Sequence, residues 1–581
     1  MNAAGSGSPI ILGVSFGGHD TSAALIKNGT IVAACEQERY SLEKHTREFP
    51  SDAIKDCLRI ASISIDDVDE LALQFDPRVH IRKRYLEPAL DDVKNLKALL
   101  YDPEEIRRNL RVEEDLRENT GFRGPISFHL HHLCHSASAY YPSGFDAALL
   151  LSHDGVGEIE SGRICSGVAG EIETLDCSNN YPDSLGLLYS AITVYLGWKH
   201  HSDEGIVMGL ASYGDAQATI PSCGRSYSAL FDEIIQETGP YSYQIERSWI
   251  SYHQTEDLLA RQRRVSNKFI EVFGPPRNPG EPWTSHHKNV AAALQDRLES
   301  IVLNQLQWAR KEFGFRKLAL AGGVSLNCSM NGKIEASRLF DEIYVQPASG
   351  DNGTAIGACF LSHKQLVGEL KPIKNHNTFL GSRFTEAEIQ NALRESQVDF
   401  EICEDVHTLT ADRLAEGKIV GWFQGAAEFG PRALGNRSIL VKPYPAEMKD
   451  YLNQRVKFRE GFRPYAPAVL AEHANEYFQI GQESPHMLIA TKATESRKEQ
   501  IPAVVHVDDT CRVQTVTPED NSEFRRLLEA FFERTGCPVL LNTSFNVKGQ
   551  PIVNSPQQAV DCFLSTEIDL LVIGNYFVEK N

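Results

Sequence analysis

Four side chains in the first two-thirds of the chain could together hold a metal ion. His131 and His135 are four residues apart, and on a helix two such imidazoles share one face at about 6 Å, a spacing that suits a single ion. Asp154 ends the apolar run Ala147–Ser152 and is followed by Gly155 and Gly157, while Asp351 lies in the glycine-rich turn of PASGDNGTAIGA. Two imidazoles and two carboxylates suit a hard or borderline divalent ion, Fe2+ or Mn2+, better than a thiolate-seeking one. Alternatives stay open. His129 and His132 flank the pair, and an aspartate in such places also serves as a turn residue or a helix N-cap. His132 stands where HExxH has glutamate, so the zinc-protease motif is absent. Gly17 and Gly18 precede His19 and Asp20 in a turn where backbone can approach a ligand closely. Gly322 and Gly323 in LAGGVSLN can bring backbone against a nucleotide, with Asn327 able to bond ribose or phosphate.

A second set is cationic. Between Pro431 and Tyr465 stand Arg432, Arg437, Lys442, Lys449, Arg455, Lys457, Arg459 and Arg463, against Glu447, Asp450 and Glu460, in a protein of net charge −20. Glycine and proline interrupt any helix that would place these charges on a solvated face. Guanidinium groups fixed beside such residues recognise carboxylate, carbamoyl and phosphate oxygens in pairs. Arg512 and the loop Leu541–Asn546, with Asn542, Thr543 and Ser544, add polar groups after an apolar run.

These groups need strands to present them. Ile10–Phe16 reads as a buried strand, and Asn28-Gly29 as a two-residue hairpin turn. Helical patterning spans about Ser51–Asn119, and strands are expected at Ile126–His135 and Ala147–Ser152. A long amphipathic helix over Val290–Phe313 leads into a strand at Lys317–Ala321. Periodicity fails near residues 366–378, where the domain boundary is placed; further strands are expected at Lys418–Phe423, Pro538–Leu541 and Leu570–Ile573. With 581 residues, 42% hydrophobic and 23% charged, the chain reads as a soluble protein of two or more domains. No signal peptide or spanning stretch is evident, and twelve cysteines without a CxxC pair suggest reduced thiols and a cytoplasmic location. The acidic balance disfavours nucleic acid as a partner and suits cationic or neutral small molecules.

The order of nine strings resembles one family nearly end to end: GVSFGGHDTSAAL, HHxxH followed by DGxGE, SLGLLYSAITVYLG, EGxVMGLAxYG, AGGVSLN, SGDNGTAIGA, FGPRALGNRS, REGFRPYAPAV and LNTSFN. That family is the O-carbamoyltransferases acting on nodulation factors and on cephamycin-type and aminoglycoside antibiotics. Two positions depart from it: Ile206, where lysine is common, and Ser212, where proline is frequent; both bear on the acceptor's identity. The resemblance implies an α/β fold in which residues 1–368 form an actin- and sugar-kinase-like duplicated domain that is Kae-like, binding nucleotide and metal. It implies an α+β, YrdC-like domain at 376–581 that joins carbamoyl phosphate and ATP into carbamoyl-adenylate and pyrophosphate. A small-molecule hydroxyl then takes the carbamoyl group in the first domain and AMP leaves.

That chemistry assigns roles. His131, His135, Asp154 and Asp351 would hold Fe2+ or another divalent ion, with Mg2+ also accommodated beside ATP. Gly155, Gly157, Gly322, Gly323 and Asn327 would line nucleotide. His19 would serve as base for the hydroxyl, with Asp20 the alternative, and Lys44 would grip phosphate. Arg432, Arg437, Lys457, Arg463 and Arg512 would screen the joined polyanions, with Asn542, Thr543 and Ser544 orienting the carbamoyl end. The competing enzyme reading is a small-molecule kinase or ATPase of the actin and sugar-kinase class, which leaves the arginine cluster idle. Neither the acceptor nor the oligomeric state is legible.

Overall fold

The computed structural model describes residues 8–91, 103–254 and 258–580 and divides into two compact units. The first comprises the chain up to Gln37, His45–Leu326 and Leu339–Asn375; the second comprises Glu38–Lys44, Asn327–Arg338 and His376 onward.

Two five-stranded sheets with one topology build the first unit. In the first sheet β1 (Ile10–Ser15), β2 (Ser22–Lys27) and β3 (Thr30–Glu36) form an antiparallel meander, and β4 (Glu70–Leu73) and β5 (Ile126–Phe128) follow parallel to β1, giving the order β3-β2-β1-β4-β5. The second sheet repeats this with β6 (Ala147–His153), β7 (Glu160–Val168), β8 (Glu171–Asn180), β9 (Lys317–Ala321) and β10 (Glu342–Val345): β6 to β8 are the meander, and β9 and β10 are parallel to β6. The same order in both sheets makes the unit a duplication, as the sequence led one to expect. The β2–β3 hairpin turns on Asn28 and Gly29, both at positive φ (51° and 73°), as a primed two-residue turn requires.

Between the sheets lie two helices. Helix α1 (His131–Ser143) packs on β6, β7 and β9, helix α3 (Thr354–Val367) packs on β1, β2 and β4, and the two helices pack on each other. A third, α2 (Ser285–Phe313), opens on a capping box of Thr284 with His287 and closes on Gly314 at φ 78°. Glycine sets the close approach of the layer. A Cβ on Gly13 of β1 would strike the carbonyl oxygen of Ala355, and one on Gly357 of α3 would strike that of Cys134 on α1.

Two sequence expectations change. The helical stretch expected over 51–119 contains the strand β4, whose four buried residues, ELAL, are too few for a period of two to stand out. The strand expected over Ile126–His135 ends at Phe128, and α1 begins at His131, whose backbone N–H donates to the buried carboxylate of Glu158 at 3.2 Å. That carboxylate meets a free N–H at the positive end of the helix.

The second unit is α+β. Its eight-stranded sheet uses β11 (Glu401–Ile402), β12 (Val420–Phe423), β13 (Arg437–Val441), β14 (Ala466–Leu470), β15 (Gln514–Val516), β16 (Val539–Ser544), β17 (Leu570–Ile573) and β18 (Tyr576–Glu579). The order is β11-β18-β17-β12-β13-β16-β14-β15, with β12–β17 and β14–β15 parallel and the other neighbours antiparallel. Two short segments that the linear boundaries place in the first domain cluster here instead. The guanidinium of Arg39 donates to the carbonyl of Gly430 at 2.6 Å, and the amide of Asn331 donates to that of Leu488 at 2.9 Å.

Candidate active site

In the first unit, α1 delivers His131 and His135 from its opening turn, β6 delivers Asp154 from just past its end, and the short helical turn Asp351–Gly353 that leads into α3 delivers Asp351. Their ligand atoms all lie within 4.8 Å of one another. The two imidazole Nε2 atoms are 3.1 Å apart, His131 Nε2 is 3.4 Å from Asp154 Oδ2 and 3.5 Å from Asp351 Oδ1, and His135 Nε2 is 3.8 Å from that same oxygen. Ligands about 2.1 Å from a tetrahedral ion stand about 3.4 Å from each other, so these separations fit an ion at their centre.

The surroundings aim the ligands. His131 Nδ1 hydrogen-bonds Gln74 Oε1 at 2.8 Å, which makes Nδ1 the donor and leaves the Nε2 lone pair pointing inward. Asp154 Oδ1 accepts the N–H of Gly323 at 2.8 Å, leaving Oδ2 for the cluster. Asp351 Oδ1 is buried and makes no hydrogen bond, as a group awaiting a cation would. A Cβ on Gly157 would strike the His131 side chain, and one on Gly322, at φ 87°, would strike the backbone of His153; Gly155 follows Asp154 directly, just past the end of β6. Burial works to lower the pKa of His131, but the charges of Asp351 and Asp154 overcome it and hold the imidazole well above its usual range. The neighbouring histidines point elsewhere: His132 bonds Ser152 and the carbonyl of Glu160, and His129 bonds Ser127 and Ser362. These four groups could therefore hold a metal ion.

Beside them in the same unit, Asp20 binds two histidines, His19 Nδ1 through one oxygen and His45 Nδ1 through the other, each at 2.7 Å. The His19 ring stacks on His201 at 4.6 Å. Burial opposes charge on His19, but the hydrogen bond and charge of Asp20, with Asp351 and Asp154 behind it, raise the imidazole to about 9. Asp20 itself is held well below the usual carboxylate range: burial is overcome by His45 and His19.

The second unit holds the cationic cluster. Arg432, Arg459 and Arg512 each have a buried Nε with no hydrogen-bond partner. Burial and the like charges of Arg512 and Arg463 pull Arg432 down to about 9, and burial with Arg463 and Arg512 pulls Arg459 down to about 10. Among the described residues no carboxylate forms an ion pair with these three. Arg459 stacks over the ring of Tyr465 at 4.0 Å, and Arg463 reaches Glu460 only at 3.4 Å. Asn542 donates to Gln514 at 2.9 Å and to the carbonyl of Ala433 at 3.2 Å, while its own buried Oδ1 has no donor. Thr543 is buried beside it in β16.

Four residues sit differently from their expected roles. Arg437 is fully buried and donates to the carbonyls of Gln424, Asn436, Ser382 and Gly425, with its guanidinium 3.6 Å over the Phe423 ring. It ties the 424–437 loop together through both terminal nitrogens, while its Nε is buried without a hydrogen-bond partner. Asn327 caps the helix Cys328–Ala336 by accepting the N–H of Met330, within the second unit. Lys44 also belongs to that unit, where its charge, after burial and Arg459, helps to depress Lys457. The Lys457 ammonium is buried among neutral acceptors of the 544–546 loop, Asn546 Oδ1 at 2.8 Å, its carbonyl at 3.0 Å and Ser544 Oγ at 3.3 Å, so it shapes the loop that carries Ser544. Gln74, Glu158 and His45 were not singled out from sequence, and Arg459 was counted in the cationic stretch without a role of its own. Glu158 closes the DGxGE string and Arg459 opens REGFRPYAPAV, but Gln74 and His45 gave no local signal.

Among the described residues no helix is long and apolar enough to cross a membrane. The family model for the carbamoyltransferase N-terminus matches residues 10–360, and the model for the carbamoyltransferase C-terminus matches residues 411–580. An uncharacterized protein of Synechocystis is 37% identical, with 98% of this chain and 96% of that one aligned. Nodulation protein NolNO of Sinorhizobium fredii is 39% identical over 97% of this chain and 79% of its own. The 3'-hydroxymethylcephem-O-carbamoyltransferase of Streptomyces clavuligerus is 34% identical over 45% of this chain and 49% of its own. Two family models that between them take in most of the chain establish that it belongs to the carbamoyltransferase family, and it is a transferase.

Proposed function

We propose that this chain is an ATP-dependent O-carbamoyltransferase: it makes carbamoyl-adenylate from carbamoyl phosphate and ATP and passes the carbamoyl group to a hydroxyl of a small molecule. The observation that carries the reading is the arginine cluster, Arg432, Arg459 and Arg512 with buried and unpartnered Nε atoms in a protein of charge −20. Buried guanidiniums without carboxylates repel one another, and a polyanion resolves that repulsion. ATP with carbamoyl phosphate is such a polyanion, whereas a kinase built on the first unit would have no use for the cluster. The balance consumes one water: water takes the phosphoryl group of carbamoyl phosphate as inorganic phosphate and frees carbamate, whose oxygen then bonds to the α-phosphorus of ATP as the bond to the β-phosphate oxygen breaks and pyrophosphate leaves.

For the transfer step, His19 is the base. Both oxygens of Asp20 are engaged by histidines, so Asp20 orients His19 through Nδ1. Because the imidazole is raised to about 9, the neutral ring whose Nε2 receives the hydroxyl proton is the minor form at neutral pH, and its share, and with it the transfer rate, grows as pH rises. A divalent ion held by His131, His135, Asp154 and Asp351, for which Fe2+ suits the donor set, would supply positive charge to the carbamoyl carbonyl or the departing phosphate. Keeping activation and transfer in one chain limits loss of the mixed anhydride to water.

The test incubates the protein with ATP, carbamoyl phosphate, Fe2+ and a panel of hydroxyl compounds. Pyrophosphate release that depends on carbamoyl phosphate, and a mass gain of one carbamoyl group on an acceptor, are expected. Arg463→Ala should abolish pyrophosphate release, whereas His19→Asn should leave it and block transfer. ADP and phosphate without pyrophosphate would favour the kinase reading instead.

A further inference from the structure

The first unit contains a cavity of about 450 Å³ lined by His200, Arg261, Gln262 and Arg264, within the size range of small-molecule sites. A row of imidazoles links it to His19. The rings of His200 and His201 are 4.6 Å apart, and those of His201 and His19 are again 4.6 Å apart. The cavity therefore lies two ring contacts from the nitrogen assigned to take the hydroxyl proton.

Its walls are positive. Among the described residues Arg264 forms no ion pair; its guanidinium Nη2 donates to His200 Nδ1 at 3.1 Å, and it is partly buried. Glu204, the carboxylate whose charge reaches Arg264, already accepts the N–H of His201 at 2.7 Å and the hydroxyl of Ser190 at 2.5 Å. His200 feels the same field: burial, then Arg264 and Arg47, push its imidazole down to about 4, so it is neutral and its ring nitrogens remain hydrogen-bonding groups. A half-buried arginine with a neutral imidazole and an amide beside it is an anion-recognition set.

We infer that this cavity takes an anionic group of the acceptor, a carboxylate, sulfate or phosphate, and so holds the acceptor's hydroxyl toward His19. The inference rests on the carbamoyl-transfer reading and names its substrate class: a hydroxyl compound that also carries an anion. In the step it serves, the hydroxyl oxygen bonds to the carbamoyl carbon, the bond from that carbon to the adenylate oxygen breaks, AMP leaves with the electron pair, and the proton passes to His19 Nε2. The overall charge of −20 suggests cationic or neutral acceptors; this cavity reverses that expectation locally.

The test compares matched hydroxyl compounds that differ only as free carboxylate and methyl ester, with ATP, carbamoyl phosphate and Fe2+, read by mass spectrometry. The acid is expected to react with a kcat/KM about tenfold or more above that of its ester, the range of a charge-assisted hydrogen bond, and Arg264→Met should bring the ratio near one. Equal kcat/KM for acid and ester in the unaltered chain overturns the inference. A second readout needs no turnover: the ring nitrogen signals of His200 are followed by NMR while inorganic phosphate is added to the full chain. A saturable shift is expected, weakened about tenfold in Arg264→Met and also in Gln262→Glu, which adds a negative charge at an exposed position. No shift at His200, or one that both variants retain, overturns the inference as well. If no compound gains a carbamoyl group while His200 still responds, the anion site stands and the carbamoyl-transfer reading is what fails.

Discussion

At His131 a proton and a metal ion compete for one nitrogen. Asp351 and Asp154 hold the imidazole well above its usual range, so in the metal-free fold the proton on Nε2 is favoured, whereas a metal ligand must be neutral. The sign follows. The raised pKa favours the charged imidazole, whose contribution to stability is full below the ordinary value of 6.5 and is lost as pH rises through the raised one. An ion that displaces the proton therefore binds more tightly as pH rises. Affinity for Fe2+ or Mn2+ is expected to increase several-fold per pH unit between about pH 6 and 8, with protons released on binding; calorimetry in buffers of different ionisation enthalpy would detect them, and a flat profile would count against these four residues as ligands. Much of this was legible in the sequence because histidine and aspartate at strand and helix ends have few structural uses in common. What was not legible is the partner of each group. Nothing in the sequence shows that Gln74 turns the ring of His131, or that Arg437, a residue type that so often meets anions, ends on four carbonyls.

At the scale of elements, the site depends on how closely α1 and α3 approach, since α1 bears both histidines and the turn into α3 bears Asp351. Gly357 permits that approach: any Cβ there runs into the carbonyl of Cys134, which is backbone and cannot swing aside. Gly357→Ala is expected to destabilise the protein by about 1–3 kcal/mol, the range for an overfilled interior. It should also weaken metal binding, because the ligands move apart with the helices. Denaturant unfolding and a metal titration on the same variant check both; normal stability with normal affinity would mean the layer has slack. Long elements were readable in advance, such as the strand Lys317–Ala321 and most of the helix that ends at Phe313. Short ones were not. β4, of four residues, was missed, and β5, of three, was read from its first residue but carried on to His135; at such lengths alternation cannot be told from helical spacing, and their place comes from pairing with β1 and β4 rather than from their own pattern.

Across the whole molecule, opposite chemistries are segregated by unit, but the chain is not segregated by sequence. Glu38–Lys44 and Asn327–Arg338 lie within the linear span of the first unit and cluster with the second, a partition set by tertiary contacts that no composition shift announces. Lys44 is thereby added to the charge around Lys457, and Cys328 to the surroundings of Arg432 and Arg512. Binding stabilises whatever it contacts, by about 2.7 kcal/mol at a ligand concentration one hundred times Kd, and that gain appears as slower amide exchange where local opening is suppressed. Two ligand sets should therefore mark two sets of peptides. Fe2+ or Mn2+ alone is expected to slow exchange around 128–158 and 349–358. ATP with carbamoyl phosphate should slow it around 428–465 and 510–546, and with them at 38–44, although that segment lies within residues 1–368, read from sequence as one domain. Hydrogen exchange with mass spectrometry resolves these stretches. Should 38–44 follow the metal and ignore the nucleotide, Lys44 belongs with the transfer chemistry, and the cationic cluster must neutralise its substrates without it.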